Sequence, residues 1–469
     1  MPLSSADTVV VPKGYTATPF IPWGEPIIPG GPAFRGQANT PAEQAAQFGS
    51  GHDGIGYFPL GHGMAGDRHG ILCLNHEYTT EGFFHPDDAD RATRTAKSQA
   101  GHGVSVVEVR HRDGTWSVVA DGGYNRRITA TTPMTFSGPA AGHASLRTGD
   151  DPAGMNPRGT INNCGSGITP WGTYVTCEEN FNGYFGSTKG AGFVPTAAQK
   201  RYGLSAGGFG YGWHESDPRF DLSAPGYENG HNRFGWQVEI DPQDPDAKPV
   251  KRTALGRFKH EDMATVIGRG NRAVAYMGDD ERYDYIYKFV SDMPYQSYLR
   301  QGLSPFDEGV LYVAQFHSDG RGVWLPLVHG SGPLTAANGL SDQGDVLIRA
   351  RMAADALGAT PMDRPEWTTV APDGCCYVTC TNNTRRTAEQ VDAANPRAAN
   401  KWGHIIRWHD SYDHVGVHFT WDVAVLAGPG GGVDGSTNAP SAAFGSPDGL
   451  WADPDGRLWI QTDGEQPEG

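Results

Sequence analysis

Asn163-Cys-Gly-Ser-Gly-Ile-Thr-Pro-Trp-Gly-Thr-Tyr-Val-Thr-Cys-Glu-Glu-Asn180 opens on polar residues and passes a turn. It then runs through a strand-like stretch, Gly172 to Thr176, into Cys177, Glu178, Glu179 and Asn180. A thiol, two carboxylates and an amide side by side are costly to bury unpaired. Metal ions are the usual compensation. A thiolate favours iron or zinc, whereas carboxylates and amides favour calcium or magnesium. The other reading is a solvated loop after a strand, and the segment alone does not decide between them.

Similar segments recur. They run from Ser446-Pro-Asp-Gly to Gln461-Thr-Asp463, from Arg364-Pro-Glu-Trp to Cys380-Thr-Asn-Asn383, and from His260-Glu-Asp to Gly278-Asp-Asp280. Gly70-Ile-Leu-Cys-Leu-Asn-His-Glu-Tyr78 matches the second half of a fifth copy. Each full copy is a short strand, a tight turn (Asp373-Gly374, Asp455-Gly456, Gly268-Arg-Gly270) and a second strand ending in acids or amides. Asp-Gly between short strands is a strong hairpin signal. Repeated hairpins with polar ends at one edge suit a β-propeller, whose inner strands bring residues distant in sequence to one mouth. Asp and Asn after strands are also ordinary turn formers. That explains Asp373 and Asp455, but not Glu77, Glu178, Glu179, Glu261 and Glu366.

Composition agrees with a large β structure. Gly (65) and Pro (34) are spread through the 469 residues, as many short strands joined by turns require. A single domain over 1–469 is expected. Ser341 to Leu357 has near-helical apolar spacing and ends at Gly358, so a helical insertion is expected over 341–358. With 53 acids against 37 bases the formal charge is −16, which argues against a nucleic-acid partner and a polybasic membrane contact. No apolar run is long enough to span a membrane, and the first residues lack a signal-peptide pattern. Cys73, Cys164, Cys177, Cys375, Cys376 and Cys380 lie in or beside strand-like runs. Few disulfides are expected, with Cys73–Cys164 the pair considered.

The ordered blocks resemble the PhoX-type alkaline phosphatases, calcium- and iron-dependent enzymes of bacteria. They begin at Ala6-Asp-Thr-Val-Val-Val-Pro-Lys-Gly-Tyr15 and include Asn75-His-Glu-Tyr78, Thr176-Cys-Glu-Glu-Asn180, Lys259-His-Glu261 and Tyr276-Met-Gly-Asp-Asp280. Arg364-Pro-Glu-Trp367, Gly403-His-Ile-Ile-Arg-Trp408 and Trp459-Ile-Gln-Thr-Asp463 complete the series. The resemblance implies an all-β fold, a six-bladed β-propeller with inserted loops and short helices. The family continues beyond the last block, so the final blade is expected to be truncated here. It also implies an oxo-bridged site of Fe3+ and Ca2+ that hydrolyses phosphate monoesters in the periplasm or outside the cell. A monomer is expected.

On that reading Cys177 occupies the family's cysteine ligand position. Glu178 and Glu179 point to opposite faces of an extended chain, so their shares of the metals stay open. Glu261, Glu366, Glu77 and Asp448 are the other metal ligands, and Asn75, Asn180, Asp262, Asp279 and Asn382 are weaker candidates. Arg364, two residues before Glu366, has a guanidinium fork that matches two phosphoryl oxygens. A salt bridge to a ligand carboxylate is its alternative role. His76, His260 and His404 are read as packing or supporting residues. No covalent nucleophile and no phosphate-binding glycine loop stands out. The rival functions are a calcium-dependent lactonase or organophosphate hydrolase, which needs no cysteine, and a non-enzymatic scaffold.

Overall fold

The computed structural model describes residues 8–434 and 443–467. Ala6 and Asp7, which open the first family-like block, lie outside them. The described chain is mostly β.

Four sheets follow one another. The first contains β1 (His52–Pro59), β2 (His69–His76), β3 (Gly103–Arg112) and β4 (Thr115–Val118) in sequential order, with β5 (Arg126–Ile128) also on β3. In the second, β6 (Thr135–Ser137) lies at one edge. Then come β10 (Val250–Arg252), β9 (Gln237–Ile240), β8 (Tyr174–Glu178) and β7 (Asn163–Ile168) at the other edge. The third is ten-stranded. β11 (Ala264–Gly268), β12 (Arg272–Gly278), β13 (Ile286–Pro294), β14 (Gly309–Phe316) and β15 (Arg321–Pro326) form one run. β16 (Pro365–Val370), β17 (Cys376–Cys380), β18 (His404–Asp410) and β19 (His418–Leu426) form the other. The two runs join where β15 pairs with β19, and β20 (Gly432–Val433) adds to β19. The last sheet is the hairpin of β21 (Pro447–Ala452) and β22 (Leu458–Thr462).

The turn chemistry explains the hairpins. Gly374 and Gly456 take left-handed backbone (φ 82 and 81) directly after Asp373 and Asp455, where a side chain would be strained. The first strands of the successive hairpins pack in series, β1 on β7, β7 on β11, β11 on β16 and β16 on β21. This series brings the polar ends of all five hairpins to one place. Apolar clusters fill the spaces between sheets. The largest joins Val175 and Cys177 of the second sheet to Ala275, Tyr287, Phe289 and Val313 of the third.

Between β15 and β16 the chain forms two helices, Gln343–Ile348 and Ala350–Leu357, broken at Arg349 and closed by Gly358 in left-handed backbone. All six cysteines are buried free thiols, so the pair Cys73–Cys164 is not bonded. Cys73 instead packs with Phe58, Ile71, Val104 and Val106. Among the described residues no helix is long and apolar enough to cross a membrane.

Candidate metal centre and phosphoryl site

Each hairpin repeats one backbone device. In four hairpins the first residue of the inner strand pairs with the last residue of the second strand, His52 with His76, Asn163 with Glu178, Pro365 with Cys380 and Pro447 with Thr462, and in the β11–β12 hairpin an isolated bridge just outside the strands, His260 with Asp279, takes that place. The inner strand then carries one extra residue before regular pairing resumes, for example at Ile55–Leu74, Ser166–Thr176 and Ala264–Tyr276. These are β-bulges, which re-aim a side chain at the end of a sheet. The preceding residue is left-handed in four of the hairpins: Gly51 (φ 58), Asn162 (φ 46), Arg364 (φ 57) and Ser446 (φ 53). For Arg364 that is a strained conformation, of the kind concentrated at functional sites.

The bulges hold Asp53, Cys164, Glu261, Glu366 and Asp448. The residues just past the second strands are Glu77, Glu179, Asp280, Thr381 and Asp463. All of these except Thr381 line one open cavity of about 360 Å³, together with Arg364, Asn180, Tyr78 and His52. Donor atoms converge there in three groups: Asp53, Glu77 and Cys164; Cys164, Glu179 and Glu261; Glu261, Glu366 and Asp448. Cys164 Sγ lies 2.9 Å from Glu261 Oε1 and 3.4 Å from Asp53 Oδ2.

The sequence-predicted residues divide accordingly. Glu77, Glu179, Glu261, Glu366, Asp448, Asn180 and Arg364 meet at the cavity. Cys177 does not. It lies on the same strand face as Glu179 but two residues deeper, roughly 6–7 Å along the strand, in the apolar core with Phe258, Met263 and Tyr287. Burial pushes its thiol well up, and Asp262 adds to this. Cys164 takes the place expected for it. Glu178 faces the other way and is fully committed, receiving Lys251 Nζ (2.7 Å) and the Gly235 and Trp236 amides (2.9 and 3.1 Å).

The weaker candidates also resolve into structural roles. Asn75 donates to the Cys164 and Gly165 carbonyls (2.7 and 2.8 Å) and so holds the bulge that carries the thiol. Asp262 accepts from Thr368 Oγ1 at 3.1 Å, Asp279 from Arg351 Nε at 2.8 Å, and Asn382 from Arg282 Nη2 at 3.3 Å. His76, His260 and His404 are buried on local partners, Ser105, Gly256 and Asn400. Asp53, Cys164, Asp280 and Asp463 are the site residues missed.

The cavity is crowded with acids. Burial and then the charges of Asp53 and Asp448 push Glu77 up to about 8. Burial and then Asp280 and Asp463 push Asp448 up to about 8. Burial raises Asp53 to about 6. Glu179 and Glu261 are also well above the carboxylate range, burial first and neighbouring acids next, and Glu366 is raised by burial despite the opposing charge of Arg364. The cationic side is formed by Arg364 and Lys259. Burial raises Asp280, but Arg364 overrides it and holds this carboxyl far below its usual value. Arg364 Nε and Nη2 each donate to Asp280 at 2.8 Å, and Nη2 lies 3.0 Å from Glu366 Oε1. Its Nη1 has no partner among the described residues. Lys259 is buried, donates to Glu281 at 2.9 Å, and its field lowers both Glu179 and Asp280.

The sequence profile described as "Alkaline phosphatase PhoX" matches residues 1–469. The chain belongs to the PhoX alkaline phosphatase family. A solved PhoX from Pseudomonas fluorescens, in complex with vanadate, a transition state analogue, is similar at 44% sequence identity. The match has a TM-score of 0.93 and covers 99% of this chain and 83% of that one. No curated protein sequence matches. As a PhoX phosphatase the protein is a hydrolase. The donor set fits the metal dependence of the family: so many mutually raised carboxyls, with a thiol among them, ionise together only when cations neutralise them.

The raised carboxyls set a pH dependence. In metal-free protein, Glu77 and Asp448 near 8 bind protons that the unfolded chain, near 4, has released. Their contribution to stability is complete below about pH 4 and is lost as pH rises through about 8, on the order of several kcal/mol. Thermal unfolding of chelator-treated protein should therefore fall more steeply between pH 5 and 8.5 than that of metal-loaded protein. Parallel curves would show that these acids do not share one field.

Proposed function

We propose that the protein is a phosphomonoesterase whose cavity holds a mixed iron and calcium centre and releases inorganic phosphate from phosphate monoesters. The observation that carries this reading is the convergence of Cys164 with carboxylates from five hairpins beside one arginine with a free Nη1. Groups that include Cys164 suit iron, and the all-carboxylate group Glu261, Glu366 and Asp448 suits calcium. Bound metals would supply Lewis acidity and charge neutralisation at the phosphoryl group.

The chain's own residues do the rest. Asp280 and Glu366 fix the Arg364 fork on one edge, so the free Nη1 is presented to the cavity without reorganisation. Lys259 supplies a second positive charge on the same side. The hairpin arrangement supports a β-propeller mouth; the six-bladed expectation meets five such hairpins among the described residues. The 341–358 helices read as an insertion in a single domain over 1–469. A periplasmic or extracellular, monomeric enzyme fits this reading.

Protein purified without added metal should contain iron and calcium. It should hydrolyse p-nitrophenyl phosphate with a rate that falls on chelation and returns with calcium. Calcium without iron would favour a lactonase-like hydrolase, and full turnover after exhaustive metal removal would overturn the metal centre.

A further inference from the structure

The ten equivalent positions of the five hairpins carry nine acids or thiols and one threonine, Thr381. Thr381 is buried. Its Oγ1 lies 2.5 Å from Glu366 Oε1 and 2.9 Å from the Pro447 carbonyl. A hydroxyl has one proton, and the carboxylate is the stronger acceptor. Glu366 Oε1 thus takes two donors, Thr381 and Arg364 Nη2.

We propose that Thr381 is a positioning residue that creates the phosphoryl-binding gap in this ring of acids. A carboxylate at this position would be a third anion around the Arg364 guanidinium, after Asp280 and Glu366. The hydroxyl does the reverse. It donates, holds Glu366 Oε1, leaves Glu366 Oε2 for a cation, and keeps the carboxylate from swinging onto Arg364 Nη1. The one position with neither an acid nor a thiol therefore sits beside the guanidinium that lines the cavity with a free nitrogen. Anionic ligands bind on this side of the cavity, between the third and fourth hairpins.

This inference rests on the phosphatase reading. The test compares Thr381→Val and Thr381→Ser in metal-loaded protein by calorimetric titration with inorganic phosphate. Metal content, KM and kcat are measured alongside. Thr381→Ser keeps the donor and should bind phosphate within about twofold of the native protein, whereas Thr381→Val should bind it about tenfold more weakly. In Thr381→Val, KM should rise more than kcat falls, at unchanged metal content. Native phosphate affinity in Thr381→Val would overturn the proposal. So would equal losses in both variants, or metal loss accompanying the affinity loss. If native protein turns over phosphate monoesters while Thr381→Val binds phosphate normally, only this inference fails. If native metal-loaded protein turns over none, the phosphatase reading fails with it.

Discussion

Cys164→Ser is expected to lose iron and almost all activity, and Cys177→Ser to keep both. Cys164 belongs to two of the three convergent donor groups, with its sulfur 2.9 Å from Glu261 and 3.4 Å from Asp53. Its thiol is pushed well up by burial and by the charge of Glu261, so it becomes a thiolate only when a metal replaces the proton. A serine hydroxyl is a much poorer donor to iron. The loss of metal affinity should exceed the about 10–100-fold typical of outer-shell partners. Cys177→Ser instead places a hydroxyl among Val175, Phe258 and Met263, at a cost of about 1–3 kcal/mol. Its signature is a lower melting temperature with unchanged metal content. Iron analysis of the two purified variants decides the matter, and iron retained in Cys164→Ser and lost in Cys177→Ser would reverse the assignment.

The hairpins were legible because Asp-Gly turns and strand patterning are local. The side on which each polar residue emerges was not, because it depends on register. A shift of one residue sends a side chain to the opposite face. Asp279 and Asp280, Glu178 and Glu179, and Asp262 and Glu261 differ by only that shift. In each pair one member lines the cavity and the other meets a buried partner, Arg351, Lys251 or Thr368. The bulges add a residue that no propensity marks. One signal was nevertheless present. Cys164, Glu366 and Asp448 each stand fifteen residues before Glu179, Thr381 and Asp463. Aligning the copies on Glu366 and Asp448 selects Cys164 over Cys177 and picks out Asp463. Asp53 has a weaker signal, since β1 and β2 are joined by a longer connection that holds no Asp-Gly turn. The union of β15 with β19 into a ten-stranded sheet is a tertiary pairing with no local signal.

Arg364→Lys is expected to lower kcat/KM by about 10²–10³, the usual cost of removing one preorganised donor at developing charge. Charge is conserved in this variant, so the loss reports geometry. The guanidinium spends Nε and Nη2 on Asp280 and Glu366 and still has Nη1 for the cavity. An ammonium is a point charge and cannot hold a carboxylate edge while presenting a second, fixed donor. Lysine should therefore stay on Asp280, whose ionisation needs a cation beside it, and leave the phosphoryl position empty-handed. Inhibition by inorganic phosphate should weaken in proportion to kcat/KM, while metal content stays native. Equal loss of metal and activity would instead make Arg364 a support for Glu366, the salt-bridge role that its 3.0 Å contact also allows. Phosphate affinity separates the two, because a phosphoryl ligand is lost directly in the first case and only through the metals in the second.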